Sequence, residues 1–154
     1  MAKHTDEIAQ AMTKEVGKVI TESLFEVKIC SDVLVWFAYE TKRVHGQAHG
    51  VVVLITTYHA PLCSIIRSFC ALIGAGCTVV IKPSPEVPLS AIKLAMVLLF
   101  NNILCCKEAG FPPGVVNVVT ADFPSTPAIG SLLCSDPHVR HVSFNGSMEV
   151  GKVY

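Results

Sequence analysis

The chain has 154 residues, of which 51% are hydrophobic and only 16% are charged. A domain of this length buries roughly 70% of the surface that its unfolded chain exposes, and the apolar composition excludes a disordered chain. Twelve basic side chains balance twelve acidic ones, so the chain lacks the basic surplus of proteins that bind nucleic acid or anionic membranes. We therefore expect a small molecule or another protein as the partner.

The N-terminal segment and the apolar runs predict neither a targeting signal nor membrane insertion. Residues 1–7 contain early acids and no arginine, unlike a secretory or mitochondrial signal. The longest apolar run, Leu94–Phe100, is far shorter than the about 20 residues of a membrane-spanning helix. We expect a cytoplasmic location. The seven cysteines show no Cys-x-x-Cys spacing, so we expect core thiols and no metal site.

The first part of the chain predicts two helices. Apolar residues recur at helical spacing over residues 5–24, behind Thr5 as the predicted N-cap. A second helix is predicted over residues 25–44, with Gly46 as its stop. We expect the two helices to pack as an antiparallel pair.

From residue 51 onward, short β-branched runs alternate with longer helical stretches. Nearly all-apolar strands that alternate with helices predict an α/β fold, with a Rossmann-like, doubly wound parallel sheet behind the N-terminal helical pair. The predicted strands are Val51–Thr56, Thr78–Lys82, Val115–Val119 and Arg140–Phe144, and the predicted helices cover 61–74, 88–108 and 126–134, with a further helix start at Ser147.

Ligands of such sheets bind beyond the carboxyl ends of the strands. The segments to examine for a site are therefore Thr57–Pro61, Lys82–Glu86, Thr120–Pro127 and Asn145–Ser147.

Four segments carry a more specific signal: ITTYHAP at 55–61, AGCTVVIKPS at 75–84, GFPPGVVNVVT at 110–120 and VSFNGS at 142–147. In this order and spacing they resemble the NAD(P)-dependent aldehyde dehydrogenase superfamily, and the C-terminal part is most similar to the succinate-semialdehyde dehydrogenase branch. The resemblance implies a helical lead-in over residues 1–47 and a partial dinucleotide-binding domain over 48–154. It also implies an incomplete aldehyde dehydrogenase fold from which the catalytic domain is absent.

The resemblance further implies a set of residues that bind NAD or NADP. Lys82 corresponds to the lysine that hydrogen-bonds the adenosine ribose, although a strand-end lysine is also commonly just solvated. Gly146 corresponds to the glycine of the pyrophosphate turn. The whole set is Ile55, Thr56, Lys82, Ser84, Gly146, Ser147 and Val150, of which Ile55 is equally compatible with a plain core position.

Two departures from the family pattern affect the expected chemistry. His59 lies where the family has an asparagine whose amide donates to the oxyanion, and the loss of such a donor costs about 10²–10³ in rate. Pro85 aligns with the family's ribose-binding glutamate, and Glu86 comes one residue late. Without a carboxylate at position 85, nothing there repels the 2′-phosphate of NADP. We therefore expect NADP to bind at least as well as NAD.

The family's nucleophilic cysteine and general-base glutamate follow the pyrophosphate turn, and no residue up to Tyr154 aligns with them. Cys63 and Cys77 are the least unsuitable replacements, and both are better interpreted as core thiols. We expect an inactive fragment of an enzyme whose family oxidises an aldehyde, such as succinate semialdehyde, to its acid. Two alternatives stay open: a non-catalytic module that binds a dinucleotide or homologous subunits, and a non-functional aberrant gene product.

Overall fold

The computed structural model describes residues 4–43, 50–99 and 112–154. Two helices come first, and strands then alternate with helices. In chain order the elements are α1 (Thr5–Val16), α2 (Ile20–Glu40), a 3₁₀ turn (Thr41–Arg43), β1 (Val51–Ile55), α3 (Pro61–Gly74), β2 (Thr78–Lys82), α4 (Pro88–Leu99), β3 (Val116–Val118), α5 (Thr126–Ser135), β4 (Val139–Phe144) and α6 (Met148–Gly151).

The four strands form one parallel sheet in the order β3-β2-β1-β4. In β1, Val53 pairs with Val80 of β2 on one side and with Val142 of β4 on the other. β1 is thus a central strand, and it is buried on both faces, as its unbroken apolar sequence predicts. The α/β fold with a parallel sheet is confirmed. Because β2 and β4 flank β1 on opposite sides, the sheet has a topological switch point between β1 and β4.

The strand predictions agree with the structure to within one residue at each end. The helices predicted over 61–74 and 126–134 correspond to α3 and α5. The helix predicted over 88–108 is present as far as Leu99, and its remainder lies outside the described residues. The predicted helix stop at Gly46 also lies outside them.

The predicted boundary between the first two helices was wrong. α1 ends at Val16 and α2 begins at Ile20, so residues 5–24 do not form one helix. Gly17 adopts φ +80, and its N–H donates to the carbonyl oxygen of Thr13 at 2.9 Å. This left-handed helix ending favours glycine, because a side chain at a positive φ is strained.

The predicted N-cap of α1 was wrong as well. Thr5 is the first residue of the helix, and His4 occupies the N-cap position without a capping hydrogen bond from its side chain. The His4 imidazole instead bonds the carboxylate of Glu7 at 3.2 Å, in the acidic first turn that complements the helix dipole.

An apolar core joins α1 and α2 to α3, α4 and the sheet. Full burial of one large aliphatic side chain contributes about 1.5–3 kcal/mol to folding, so the two N-terminal helices are anchored to the sheet by several such side chains. Core residues from these elements include Ile8, Met12, Val27, Leu54, Ile66, Ile81 and Leu94.

Carboxylates from the first two helices cap the next two. Glu26 of α2 accepts hydrogen bonds from the backbone N–H groups of Leu62 and Cys63, at 2.9 and 3.0 Å, in the first turn of α3. Glu15 of α1 accepts from the backbone N–H of Ser90 at 2.7 Å, in the first turn of α4. Each carboxylate satisfies N–H groups that have no partner within their own helix and faces the positive end of the helix dipole.

The longest described helix, α2, has 21 residues and carries charged side chains along its length. Within residues 4–43, 50–99 and 112–154, no helix combines the length and the apolar character that crossing a membrane requires.

Candidate functional site

A cavity of about 380 Å³ lies at the carboxyl ends of β1, β2 and β4, at the switch point of the sheet. This volume is within the range of small-molecule sites, which is roughly 300–1,000 Å³. The loops that follow β1, β2 and β4 contribute to its wall, together with Thr126 at the start of α5. The lining residues are Ile55, Thr56, Thr57, Tyr58, Lys82, Ser84, Pro85, Glu86, Thr126, Phe144, Asn145, Gly146, Ser147, Val150 and Tyr154.

The cavity brings together every residue that the family resemblance assigned to the cofactor. These residues come from three separate strand ends and from the short helix α6, and they are Ile55, Thr56, Lys82, Ser84, Gly146, Ser147 and Val150. The ends of the predicted strands indicated only which loops form the site. The family resemblance indicated which residues of those loops contact the cofactor.

Lys82 is the cation of the cavity wall. It is the last residue of β2 and only 1% of the residue is exposed. Its Nζ donates a hydrogen bond to the carbonyl oxygen of Pro83 at 3.4 Å. Burial lowers the pKa of Lys82 below its ordinary value of 10.5, because removal of water penalises the charged form. The interpretation as a solvated lysine is therefore excluded.

Thr56 adds a hydroxyl to the wall beside Lys82. It follows β1 directly, and its backbone N–H donates to the carbonyl oxygen of Lys82 at 3.2 Å. The residue is 4% exposed, and its Oγ1 has no hydrogen-bond partner. A buried hydroxyl without a partner costs roughly 1–3 kcal/mol, so this cavity-lining atom is suited to a polar ligand.

The turn after β4 closes the opposite side of the cavity. The N–H of Asn145 donates to the carbonyl oxygen of Ile55 at 2.9 Å and holds this turn against the end of β1. A Cβ on Gly146 would come within 2.4 Å of Cζ of Phe144, so the close approach of the ring requires glycine. Ser147 is the N-cap of α6, and its Oγ accepts from the N–H of Val150 at 3.3 Å.

A carboxylate also lines the cavity. Glu86 is exposed, and its Oε2 accepts a hydrogen bond from Oγ of Ser84. Pro85, between them, contributes only an apolar ring. The structure thus brings Glu86 to the same wall as Lys82, although the carboxylate is one residue later in the chain than in the family pattern.

His59 is not among the residues that line the cavity. It is exposed, and its ring packs edge-to-face with that of Tyr58, with the ring centroids 6.0 Å apart. The neighbouring Tyr58 lines the cavity in its place. The role of His59 at the oxyanion position stays a prediction.

None of the five described cysteines lines the cavity. Cys63 contacts Cys30 between α2 and α3, and Cys77 is buried before β2. Cys77 therefore occupies the interior position that the sequence interpretation expected, whereas Cys63 is only half-buried. Cys105 and Cys106 lie outside the described residues.

Two aromatic wall residues were not predicted. Phe144 ends β4, and Tyr154 packs against it edge-to-face with ring centroids 6.0 Å apart. Tyr154 also covers Gly130 of α5, where a Cβ would meet the phenol oxygen at 2.3 Å. The position of Phe144 at the end of a predicted strand could have indicated its place in the cavity wall, whereas no local pattern indicated that of Tyr154.

The sequence profile of the aldehyde dehydrogenase family matches residues 1–153. The chain belongs to this family. It is 35% identical to the mitochondrial succinate-semialdehyde dehydrogenase of Rattus norvegicus, over 99% of this chain and 31% of that protein. It is 36% identical to the NADP(+) succinate-semialdehyde dehydrogenase GabD of Escherichia coli, over 99% of this chain and 33% of that protein.

The fold agrees with solved structures of the family. The NAD-dependent aldehyde dehydrogenase of Sinorhizobium meliloti superposes with a TM-score of 0.83 and 31% identity, over 99% of this chain and 32% of that one. The chain spans about a third of the length of the curated relatives it matches. The predicted superfamily and the similarity to its succinate-semialdehyde dehydrogenase branch are confirmed.

Proposed function

We propose that this chain forms the dinucleotide-binding part of an aldehyde dehydrogenase, and that the cavity at the switch point binds the adenosine and pyrophosphate of NAD or NADP. The proposal rests on one observation. The seven residues that the family resemblance assigned to the cofactor come from three strand ends and α6, and all of them line one cavity. The enzyme to which such a part belongs oxidises an aldehyde to its acid, and its similarity to succinate-semialdehyde dehydrogenases makes succinate semialdehyde the proposed substrate.

The chemical character of the wall fits this ligand. The Lys82 ammonium donates hydrogen bonds to ribose or phosphate oxygens, and the Thr56 hydroxyl lacks a protein partner. Val150 and the rings of Phe144 and Tyr154 provide an apolar surface for a planar base. Lys82, Thr56 and the turn at Gly146 would hold the dinucleotide, which would supply the hydride acceptor for aldehyde oxidation.

We propose further that the 154-residue chain by itself binds dinucleotide without oxidising aldehydes. None of the described cysteines lines the cavity, and a thiol nucleophile has to reach the aldehyde carbon that donates hydride. The chain then acts as a binding module, with homologous subunits as a predicted further partner. A non-functional gene product is the competing possibility.

Calorimetric titration of the purified chain with NAD and with NADP separates these possibilities. We expect saturable, weak binding of a single dinucleotide per chain, and no reduction of either cofactor when succinate semialdehyde is added. The expected rate is that of a buffer control, because loss of a nucleophile alone costs many orders of magnitude.

Gly146→Ala is the matched variant for this titration. It keeps the charge of the cavity and forces the Phe144 ring to move, so we expect it to weaken binding of both dinucleotides. The module proposal is wrong if a folded chain binds neither dinucleotide, and it is equally wrong if the chain reduces NAD or NADP in a cysteine-dependent manner.

For the cofactor preference, we propose that NADP binds at least as well as NAD. Pro85 carries no charge, and the Glu86 carboxylate is exposed and engaged by Ser84, so solvent screens its repulsion of a 2′-phosphate. Glu86→Gln removes that repulsion, and we expect the ratio of NADP to NAD affinity to rise up to about fivefold, the range of an exposed charge pair.

Parallel titrations of the wild type and Glu86→Gln measure this ratio, with Glu149→Gln in α6, a glutamate that does not line the cavity, as the control. Tighter binding of NAD than of NADP by the wild type contradicts the proposed preference. An unchanged ratio in Glu86→Gln shows that Glu86 does not face the 2′ position.

A further inference from the structure

Two cysteines meet between α2 and α3, away from the cofactor cavity. The sulfur atoms of Cys30 and Cys63 are 3.5 Å apart, although the residues are separated by 33 positions in the chain. Cys30 is fully buried, and Cys63 is half-buried in the first turn of α3. A disulfide has a sulfur separation of about 2.05 Å, so the two sulfur atoms, already in contact, have to approach by roughly 1.5 Å to form the bond.

The surroundings of Cys63 favour its thiolate. The hydrogen bond from the Cys30 thiol lowers the pKa of Cys63, and the nearby cations Arg67 and Lys18 act in the same direction, whereas burial and Glu26 oppose them. The same hydrogen bond, together with burial, raises the pKa of Cys30. The first turn of α3 adds the positive end of a helix dipole. Cys63 is therefore the more reactive thiol, and Cys30 is positioned as its partner.

We propose that Cys30 and Cys63 are an oxidation site, at which a small peroxide converts the two thiols into a disulfide that joins α2 to α3. The half-buried Cys63 reacts first, since Cys30 has no exposed surface. Its thiolate attacks one peroxide oxygen, the O–O bond breaks, and a sulfenic acid and hydroxide form.

The second step closes the bridge. The Cys30 sulfur attacks the Cys63 sulfur, the S–O bond breaks, and the oxygen leaves as water with the Cys30 proton. The hydroxide from the first step takes up the proton that Cys63 released. In total, two thiols lose two electrons to one hydrogen peroxide, which becomes two waters.

The other described cysteines do not share this arrangement. Burial raises the pKa of Cys70 to about 11 and also raises the pKa of Cys134, which makes both thiols less reactive. Cys77 is buried. Among the five described cysteines, the thiol–thiol hydrogen bond joins only Cys30 and Cys63.

The bridge acts on the helix that follows the first cavity loop. Thr57 lines the cavity, and its Oγ1 bonds Oγ of Ser64 at 3.2 Å, one residue after Cys63. Oxidation therefore fixes the start of α3 to α2 next to this loop. Because the bridge closes a long segment of the unfolded chain, the oxidised protein is expected to melt roughly 5–10 °C above the reduced protein.

Peptide mapping under non-reducing conditions tests the proposal directly. The reduced 154-residue chain is treated with hydrogen peroxide, the remaining thiols are alkylated, and the protein is digested with trypsin. Cleavage after Lys28, Lys42, Arg43 and Arg67 leaves Cys30 alone in peptide 29–42 and Cys63 alone in peptide 44–67. We expect these two peptides to form the main cross-linked species and the oxidised protein to show the higher melting temperature.

Three controls make the result decisive. In denaturant, the same oxidation is expected to pair the seven cysteines without selectivity. The control variant Cys134→Ser is expected to keep the native cross-link. In Cys30→Ser, Cys63 is expected to stay a sulfenic acid, which dimedone captures. The proposal is overturned by a native cross-link pattern equal to the denatured one, by a main disulfide that omits Cys30 or Cys63, or by an oxidised protein that melts no higher than the reduced one.

Discussion

Glu26→Ala is expected to lower the free energy of unfolding by about 3–5 kcal/mol, the range observed when one partner of a buried ion pair is removed. The Glu26 side chain is 8% exposed and pairs with Lys18, whose side chain is 14% exposed. Its other oxygen accepts from the N–H groups of Leu62 and Cys63. The substitution therefore leaves a largely buried ammonium unpaired and removes the cap of α3.

Urea denaturation followed by circular dichroism measures the loss. Glu26→Gln keeps an oxygen that accepts from the α3 N–H groups and removes the charge, so we expect an intermediate loss of stability. Asp32→Ala, at an exposed position of the same helix, is the control and is expected to change stability by less than about 0.5 kcal/mol. A loss below about 1 kcal/mol in Glu26→Ala means that the contacts of Glu26 do not anchor α3.

The sheet could be predicted from the sequence because its signal is local. The strands β1 and β2 are short β-branched runs between turn residues. Helices of sufficient length separate the four strands, so the parallel arrangement follows from the crossover connections. The helix break at Gly17 was missed because apolar residues keep helical spacing on both sides of it. Gly17 is left-handed and ends α1, although the helical spacing of apolar residues continues beyond it.

The contacts that join distant parts of the chain could not be predicted. The sequence predicted a helix over residues 25–44, whereas nothing local indicated that Glu26 of this helix caps another helix 36 residues later. The contact of Cys30 with Cys63 also exists only after α2 packs on α3. Such pairings depend on the register between helices, which a single sequence does not specify.

The candidate site was predictable to the extent that it lies on strand ends. Topology indicated the four loops, and the resemblance selected Lys82 and Gly146 within them. The exposed Glu86 lines the cavity wall, where its carboxylate accepts a hydrogen bond from Ser84. This placement could not be inferred from residue types. Tyr154 reaches the cavity only through its packing on Phe144.

Lys82→Met is expected to weaken the binding of NAD and NADP roughly 10- to 100-fold, since a hydrogen bond from a charged donor contributes about 1.5–3 kcal/mol. Methionine keeps the buried aliphatic stem and removes the ammonium that faces the cavity. Lys93→Met is the matched control, because Lys93 pairs with Glu7 on another part of the surface, and its affinity for both cofactors should equal that of the wild type.

The pH dependence separates the charge of Lys82 from its packing. Burial lowers its pKa below 10.5 in the folded protein, so the unfolded chain binds more protons and, through this group, stability rises as pH rises from the lowered pKa toward 10.5. If the proposed site binds a dinucleotide through Lys82, we expect the ligand oxygens to favour the ammonium and to raise this pKa on binding. Affinity should therefore be full below the lowered pKa and fall as pH rises through it, opposite to the stability trend. Calorimetry across this pH range should detect proton uptake on dinucleotide binding in the wild type and none in Lys82→Met. Equal proton uptake in both proteins would exclude Lys82 as the group that binds the cofactor.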